Sequence, residues 1–379
     1  MKSPFQYGTL VDKESFVNRI EERKQLKELL GSGINVMLIS PRRWGKSSLV
    51  KVAMDELMHE DKHIRVCFID AFSIKTEAEF YRAFVREVIT CAASTLEKRL
   101  EDVKHFLKTI SPSITLKSDA ADIMSFDLKF ELEERDVMEI LELPEKIASA
   151  KGIQLIVCID EFQQLALLPD YKSMEGKMRS VWQQQQRVAY CFYGSKRHMM
   201  MDIFNNSSNP FYRFGQVLFL QKIKKEEWVP FIINAFRRTE KGISEEQAER
   251  LCDIVKCHSW YLQQLCYFIW SGTSGRVTDD IIEVRTRQLI DTNMPMFMND
   301  TENLTAAQTA MLRAVADGEY RLNSAAVVRK YELGSAQTIT RNKRILTERD
   351  FMEKEGERYV FSDPVFELWF RREYYRMSH

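Results

Sequence analysis

Hydrophobic and polar positions change period several times along the chain, and each change predicts an element. Glu21–Leu30 places Leu26, Leu29 and Leu30 on one side of a helix, and Gly31-Ser32-Gly33 stops it. Residues 34–39 (Ile-Asn-Val-Met-Leu-Ile) then form a short apolar run of the kind that makes a buried strand; a turn follows, and a helix begins near Lys46. Similar runs at 64–70, 153–159, 188–193 and 216–220 predict four more strands. Residues 75–109 read as long helical structure, and 114–116 with 126–132 alternate with period two, predicting a hairpin. Strands separated by helices predict a parallel sheet with right-handed crossovers. From residue 224 to about 295 the pattern is wholly helical, and Met294-Pro295-Met296 with Asn299-Asp300 reads as a linker. Beyond it, helical patterns at 304–317, 324–331 and 335–349 precede the alternation Arg358-Tyr359-Val360-Phe361. Three helices and a small hairpin predict a winged helix, with the third helix in the recognition position.

Composition adds exclusions. The 379 residues carry 55 basic and 55 acidic side chains, so no global basic field draws the chain toward nucleic acid or an anionic membrane. The seven cysteines are odd in number, form no C-x-x-C pair and sit mostly in apolar runs, as expected of small buried hydrophobes in a reducing cytoplasm. The N-terminus has no apolar leader core, and the longest uncharged stretch, 258–275, is interrupted by Gln, Ser and Gly. A cytoplasmic protein without a membrane span is the expectation.

The sharpest chemistry lies in Ser40-Pro41-Arg42-Arg43-Trp44-Gly45-Lys46-Ser47, between a strand and a helix. The spacing is that of a P-loop, with Ser40 in the first glycine position. A tight loop lets backbone N–H groups and a helix N-terminus surround nucleotide phosphates. Pro41, Arg42, Arg43, Trp44, Gly45, Lys46, Ser47 and Ser48 are the candidate nucleotide contacts. Lys46 would neutralise the β- and γ-phosphates, and the Ser47 hydroxyl would ligate Mg²⁺. Serine suits the first position only where the backbone does not need positive φ. The acidic partner is Asp160-Glu161, delivered at the end of the third apolar run. In a parallel sheet, ligands sit at the C-terminal strand ends. Asp160 would hold Mg²⁺, and Glu161 would orient and polarise the attacking water. A D-E pair that merely caps the next helix is the simpler alternative.

These residues resemble the prokaryotic "archaeal-type" ATPases related to the AAA+ and STAND P-loop NTPases. Phe16-Val17-Asn18-Arg19-Ile20-Glu21-Glu22 resembles the family's F-x-G-R-x-x-E box, with Asn18 for glycine. Ser40–Leu49 resembles its P-loop, Ile159-Asp160-Glu161-Phe162-Gln163 its D-E-[FIV]-Q box, and Tyr193-Gly194-Ser195 its G-S step. Phe361-Ser362-Asp363-Pro364-Val365-Phe366-Glu367-Leu368-Trp369 resembles its C-terminal D-P segment. The resemblance implies an α/β fold: a P-loop NTPase core (1–223) with a five-stranded parallel sheet ordered 5-1-4-3-2, a helical lid (224–298) and a C-terminal winged helix (299–379). It implies further that Val17 and Arg19 flank the adenine and that Ser195 senses the γ-phosphate. Arg213, in Asn209-Pro210-Phe211-Tyr212-Arg213, becomes the candidate charge stabiliser, in cis or in a neighbouring subunit, with Arg197 as its rival. Cys257-His258-Ser259-Trp260-Tyr261-Leu262-Gln263 resembles the family's lid element, with Cys257 and Ser259 where Gly and Pro are usual.

Together these readings predict a slow, Mg²⁺-dependent ATPase that binds ATP and ADP and acts as a nucleotide-controlled switch with a protein partner or a second copy. Two alternatives stand beside it. One is an ATP-regulated DNA-binding protein using Arg341, Lys343 and Arg344, with Gln337, Thr338, Thr340 and Asn342 nearby; residues 300–379 hold thirteen basic and thirteen acidic side chains, which gives that unit no net basic field. The other is a pseudo-ATPase that binds without hydrolysis, motivated by Ser40 and the altered lid element. No G-x-S-x-G elbow or Cys/His cluster suggests other chemistry.

Overall fold

The structure, a computed structural model, describes residues 3–8, 17, 19–92 and 134–374. The hairpin expected at 114–132, and the helix expected to run on to 109, fall beyond residue 92 and outside this range. The chain divides into two compact units, Asp12–Gln221 and a second made of Met1–Val11 with Lys222–His379.

In the Asp12–Gln221 unit all five apolar runs are strands: β1 (Val36–Ile39), β2 (Ile64–Asp70), β3 (Gln154–Asp160), β4 (Val188–Gly194) and β5 (Gln216–Phe219). They pair in parallel in the order β2-β3-β4-β1-β5, the order the resemblance implies. Successive side chains of a strand point to opposite faces, so each strand feeds two cores. Val36, Leu38, Ile156, Cys158 and Cys191 pack under α1 (Ile20–Gly31) and α2 (Lys46–Glu60). Met37, Ile39, Leu155, Val157, Tyr190 and Phe192 face α3 (Glu77–Ala92), α4 (Glu134–Lys151), α5 (Tyr171–Trp182) and α6 (Arg197–Asn205). Burial on both faces explains why the central strands β1, β3 and β4 read as continuous apolar runs instead of alternating ones. All five C-terminal ends lie on one edge, and β4 separates β1 from β3 there.

The second unit is helical up to its last segment: α7 (Lys225–Arg237), α8 (Glu245–Ile254), α9 (Ser259–Gly272) and α10 (Asp279–Glu302). Its N-terminal segment packs on these helices. Phe5 lies 5.3 Å from the Phe236 ring, Tyr7 contacts Trp260, Tyr267 and Phe268, and the Gln6 N–H donates to Gln263 Oε1 at 3.3 Å. The predicted linker at 294–300 is instead the interior of α10, proline included. Downstream of Pro295, Phe297 and Thr301 are buried, and Phe297 packs on Phe366 and Trp369. Burying a phenylalanine contributes about 1.5–3 kcal/mol, which offsets the ~3 kcal/mol cost of a proline inside a helix.

The winged helix forms from α11 (Ala306–Ala316), α12 (Ala325–Tyr331), α13 (Ala336–Glu348) and the antiparallel pair β6 (Met352–Glu355) and β7 (Arg358–Phe361). Thr305, Ser324 and Ser335 cap the three helices through their side-chain oxygens. The D-P segment is α14 (Pro364–Trp369), with Asp363 as N-cap and Pro364 in the first turn. Asp363 also accepts from the Tyr261 hydroxyl of α9, and Glu367 pairs with Lys256 and with Arg371. Trp369 and Phe370 are buried, as packing residues. Among the described residues no helix is long and apolar enough to cross a membrane.

Candidate functional site

The turn after β1 closes on itself through two left-handed residues, Arg43 (φ 64°) and Gly45 (φ 85°). Ser40 is not left-handed, which is the condition under which serine replaces glycine there. Ser40 is buried, and its N–H donates to Gly194 O of β4 at 3.4 Å. A Cβ on Gly45 would meet open space, so the glycine is required by its φ and not by crowding. Gly45 stands immediately before α2, so Lys46 and Ser47 open that helix at its N-terminus. Arg42 and Arg43 are exposed, while Pro41 and Trp44 are half-buried.

Side chains from three strand ends converge on this helix start. Ser47 Oγ donates to Asp160 Oδ2 at 2.6 Å. Lys46 Nζ donates to Glu161 Oε1 at 2.6 Å and lies 3.8 Å from Asp160 Oδ1. From the end of β4, Ser195 Oγ donates to Glu161 Oε2 at 2.8 Å, and Arg42 Nε lies 3.5 Å from the same hydroxyl. Glu161 itself adopts a left-handed backbone, φ 49°, and its N–H donates to Asp160 Oδ1 at 2.8 Å. That turn aims two consecutive carboxylates at two consecutive residues of α2.

The environment separates the two acids. Burial pushes the Asp160 carboxyl above its ordinary value, against the pull of Lys46 and the Ser47 hydroxyl. Burial acts on Glu161 in the same sense, but the Lys46 ammonium with hydrogen bonds from Lys46, Gln163 and Ser195 holds it below its ordinary value. The donor set suits Mg²⁺: Ser47 Oγ and Asp160 Oδ2 are two hard oxygens side by side, and Lys46 sits closer to Glu161, at 2.6 Å, than to Asp160, at 3.8 Å.

Gln163 is a residue that sequence reading left without a role. It is fully buried, and its Nε2 donates to Glu161 Oε2 at 2.5 Å. A carboxylate only accepts, so the amide orientation is fixed by chemistry. Its Oε1 then rests over Gly194, where a Cβ would lie 1.9 Å away. The G-S step therefore does two things: glycine makes room for the glutamine, and serine bonds the same carboxylate. No local spacing signals the contact with Gly194, because Gln163 follows β3 while Gly194 ends β4.

The remaining candidates lie as follows. Arg19 is buried with φ 53°, and its guanidinium donates to Glu22 at 3.0 Å, to Gln221 O at 2.9 Å and to Trp44 O at 3.0 Å. It ties the N-terminal box to the P-loop backbone. Val17 is buried. Arg213 is exposed and left-handed (φ 52°), with its guanidinium 5.2 Å from the Tyr212 ring. Arg197 is exposed at the start of α6, 5.3 Å from the Phe219 ring. Neither arginine is among the side chains bonded to Glu161. In the second unit His258 is buried against Tyr261, ring centroids 4.8 Å apart. Cys257 has φ 55°, so it keeps the left-handed conformation that the family's glycine would adopt freely, and Ser259 opens α9.

On α13, Gln337, Thr340, Arg341 and Arg344 are exposed. Asn342, expected among the base-contacting types, is instead buried, because i and i+3 positions share a face and Ile339 beside it is core. Lys343 is half-buried and donates to Asn323 Oδ1 at 3.0 Å, over the Tyr359 ring. Burial and then Lys354 lower its pKa.

Comparison with known proteins gives two family matches. Residues 16–265 match the family described as ATPase domain predominantly from Archaea, and residues 295–372 match a probable winged helix domain. Among solved structures, a Walker-type ATPase of Pyrococcus abyssi is similar at TM-score 0.69 and 18% identity, covering 97% of this chain and 99% of its own. The ORC2 protein of Aeropyrum pernix, in ADPNP–ADP complexes, is similar at TM-score 0.59 and 12% identity over 99% of this chain and 100% of its own. At these identities the likeness is one of fold. No curated protein matches the sequence. The chain belongs to the family of ATPase domains found predominantly in Archaea, and carries a C-terminal winged helix.

Proposed function

We propose that the protein binds ATP with Mg²⁺, hydrolyses it slowly, and uses its nucleotide state as a switch. The observation that supports this most is the convergence of Lys46, Ser47, Asp160, Glu161 and Ser195 through bonds of 2.6–2.8 Å at one sheet edge. In this reading the backbone N–H groups of residues 41–48 and the N-terminus of α2 surround the phosphates, and Lys46 neutralises them. Ser47 and Asp160 hold Mg²⁺, which supplies charge neutralisation on the phosphate oxygens. Glu161, kept ionised by its donors, orients the attacking water and accepts its proton. Ser195 carries the presence of the γ-phosphate to Glu161. Arg213 supplies positive charge to the transition state, from the same chain or a neighbouring copy. Val17 and Arg19 shape the adenine side. The working division is a core at 1–223, a lid at 224–298 and a winged helix at 299–379, with the lid and winged helix responding to nucleotide.

The test is ATP turnover with Mg²⁺ at several protein concentrations, beside direct nucleotide binding. Turnover in the wild type and loss of binding in Lys46→Ala are expected. Tight binding with no turnover at any concentration would overturn hydrolysis and leave a binding-only switch. Unchanged affinity in Lys46→Ala would overturn the P-loop assignment itself.

A second reading, DNA binding by the winged helix, is favoured by the exposed Gln337, Thr340, Arg341 and Arg344 on one helix. Changing Arg341 and Arg344 to Ala should weaken duplex binding and flatten its salt dependence by about two ions; an unchanged salt slope would remove the proposal.

A further inference from the structure

Six of the seven cysteines fall into three close pairs, and only one pair is built for chemistry. Cys158 and Cys191 are register partners on β3 and β4, both wholly inside the core. Cys67 is buried beside Cys91, and the two thiols donate to Ile156 O and Val88 O. The third pair, Cys252 and Cys257, lies where α8 ends.

That helix end is a Schellman turn. The Lys256 N–H donates to Asp253 O at 3.1 Å and the Cys257 N–H to Cys252 O at 2.8 Å, with Lys256 left-handed at φ 49°. Such a turn characteristically brings the side chains of its first and sixth residues together. Here those residues are the two cysteines, joined by the 6→1 backbone bond itself. The backbone bond keeps their Cα atoms within about 6.7 Å, inside the ~4.4–6.8 Å range that a disulfide spans. Cys252 is buried, whereas Cys257 is partly exposed. The adjacent Cys252 thiol, then Lys225 and Lys222, hold the Cys257 thiol below its ordinary value against burial and Asp253. The neighbouring Cys257 and burial raise Cys252. A nucleophilic thiol and a protonated neighbour thus meet on one preformed turn.

We propose that Cys252 and Cys257 are a peroxide-oxidised dithiol, with Cys257 the attacking sulfur and Cys252 the resolving one. The Cys257 thiolate attacks hydrogen peroxide, the O–O bond breaks, and Cys257 becomes a sulfenic acid as hydroxide leaves and is protonated to water. The Cys252 sulfur then attacks the Cys257 sulfur, the S–O bond breaks, and the Cys252 proton leaves with the oxygen as a second water. Two thiols are oxidised by two electrons, and one peroxide is reduced to two waters. The bridge would close around Lys256, the residue that pairs with Glu367 of the D-P segment, so it would fix the turn on which that tie depends. The site is independent of the ATPase reading.

The test uses the reduced full-length protein, a few equivalents of hydrogen peroxide, thiol blocking and tryptic mass spectrometry. Trypsin cuts after Arg250, Lys256 and Arg276, so the bridge appears as peptide 251–256 joined to 257–276, lost on reduction. Fragmentation distinguishes Cys257 from Cys266. The Cys252→Ser protein should stop at a Cys257 sulfenic acid that dimedone traps. The Cys257→Ser protein should form no bridge and lose thiols at least tenfold more slowly at this turn. A wild-type turn that stays reduced at doses that oxidise Cys91 would overturn the proposal, and a dimedone adduct on Cys252 would overturn the assignment of roles.

Discussion

The two units place their strained backbone differently. In the Asp12–Gln221 unit, the described non-glycine residues with positive φ are Arg19, Arg43, Glu161 and Arg213. Each belongs to a motif singled out for nucleotide chemistry. In the other unit they are Glu240, Lys256, Cys257, Glu332 and Asp350. Four of these follow a helix, and the next N–H reaches back five residues: Lys241 to Phe236, Cys257 to Cys252, Leu333 to Val328 and Phe351 to Leu346. Left-handed backbone costs an ordinary residue about 1–2 kcal/mol. In the second unit that cost ends helices, a task glycine performs without strain. In the first it aims Glu161 at Lys46, and it bends the P-loop at Arg43. Left-handed residues that close a helix mark a stop; left-handed residues in the turns of the nucleotide motifs mark a site.

The comparison can be broken most sharply at the two rival arginines. Arg213 is left-handed and Arg197 begins an ordinary helix. Arg213→Ala should lower kcat by about 10³-fold, measured where turnover per molecule no longer rises with protein concentration. Arg197→Ala should stay within a few-fold. The reverse result would detach backbone strain from function in this unit. Next comes Glu161→Gln, expected to lower kcat by about 10²–10⁴-fold with ATP affinity by titration nearly unchanged. Equal losses of affinity and turnover would make Glu161 a structural partner of Lys46 and not the water-orienting base.

Much of this was legible in the sequence, for identifiable reasons. The central strands β1, β3 and β4 are buried on both faces, so they read as apolar runs, and the P-loop and Asp160-Glu161 stand at strand ends that the parallel topology puts on one edge. What hid from sequence was set by tertiary contact. Pro295 reads as a break, yet Phe297 beyond it packs on Phe366 and Trp369 and carries the helix through. Asn342 reads as a base contact, yet it sits on the buried face of its helix. The left-handed residues are invisible because none is glycine. Gln163 was seen as part of a box, but its place against Gly194 of β4 depends on tertiary packing.

That bond gives the third prediction. A hydrogen bond to a charged group contributes about 1.5–3 kcal/mol, so Gln163→Leu should lower kcat roughly tenfold or more while leaving ATP affinity and thermal stability close to wild type. In the Glu161→Gln background the same change should cost little, because it acts through Glu161. Full additivity would show that Gln163 supports the site only by filling space. Gly194→Ala, which pushes a Cβ against the glutamine amide, should reproduce the loss.

The smallest effect tests the other half of the comparison. Glu332 is exposed, has φ 54° at the end of α12, and donates its N–H to Val328 O. Leu333 beside it is buried, so the turn must be held. Glycine at this position keeps both backbone bonds and removes the clash between Cβ and carbonyl, while the unfolded chain gains some freedom. The net gain from Glu332→Gly should be about 0.5–1 kcal/mol, read as a rise in the denaturant midpoint at constant slope, with ATP turnover unchanged. If Glu332→Gly instead destabilises the protein, or alters turnover, its left-handed backbone is more than a helix stop. The division between stops and sites would then fail at the position where the side chain has the least to do.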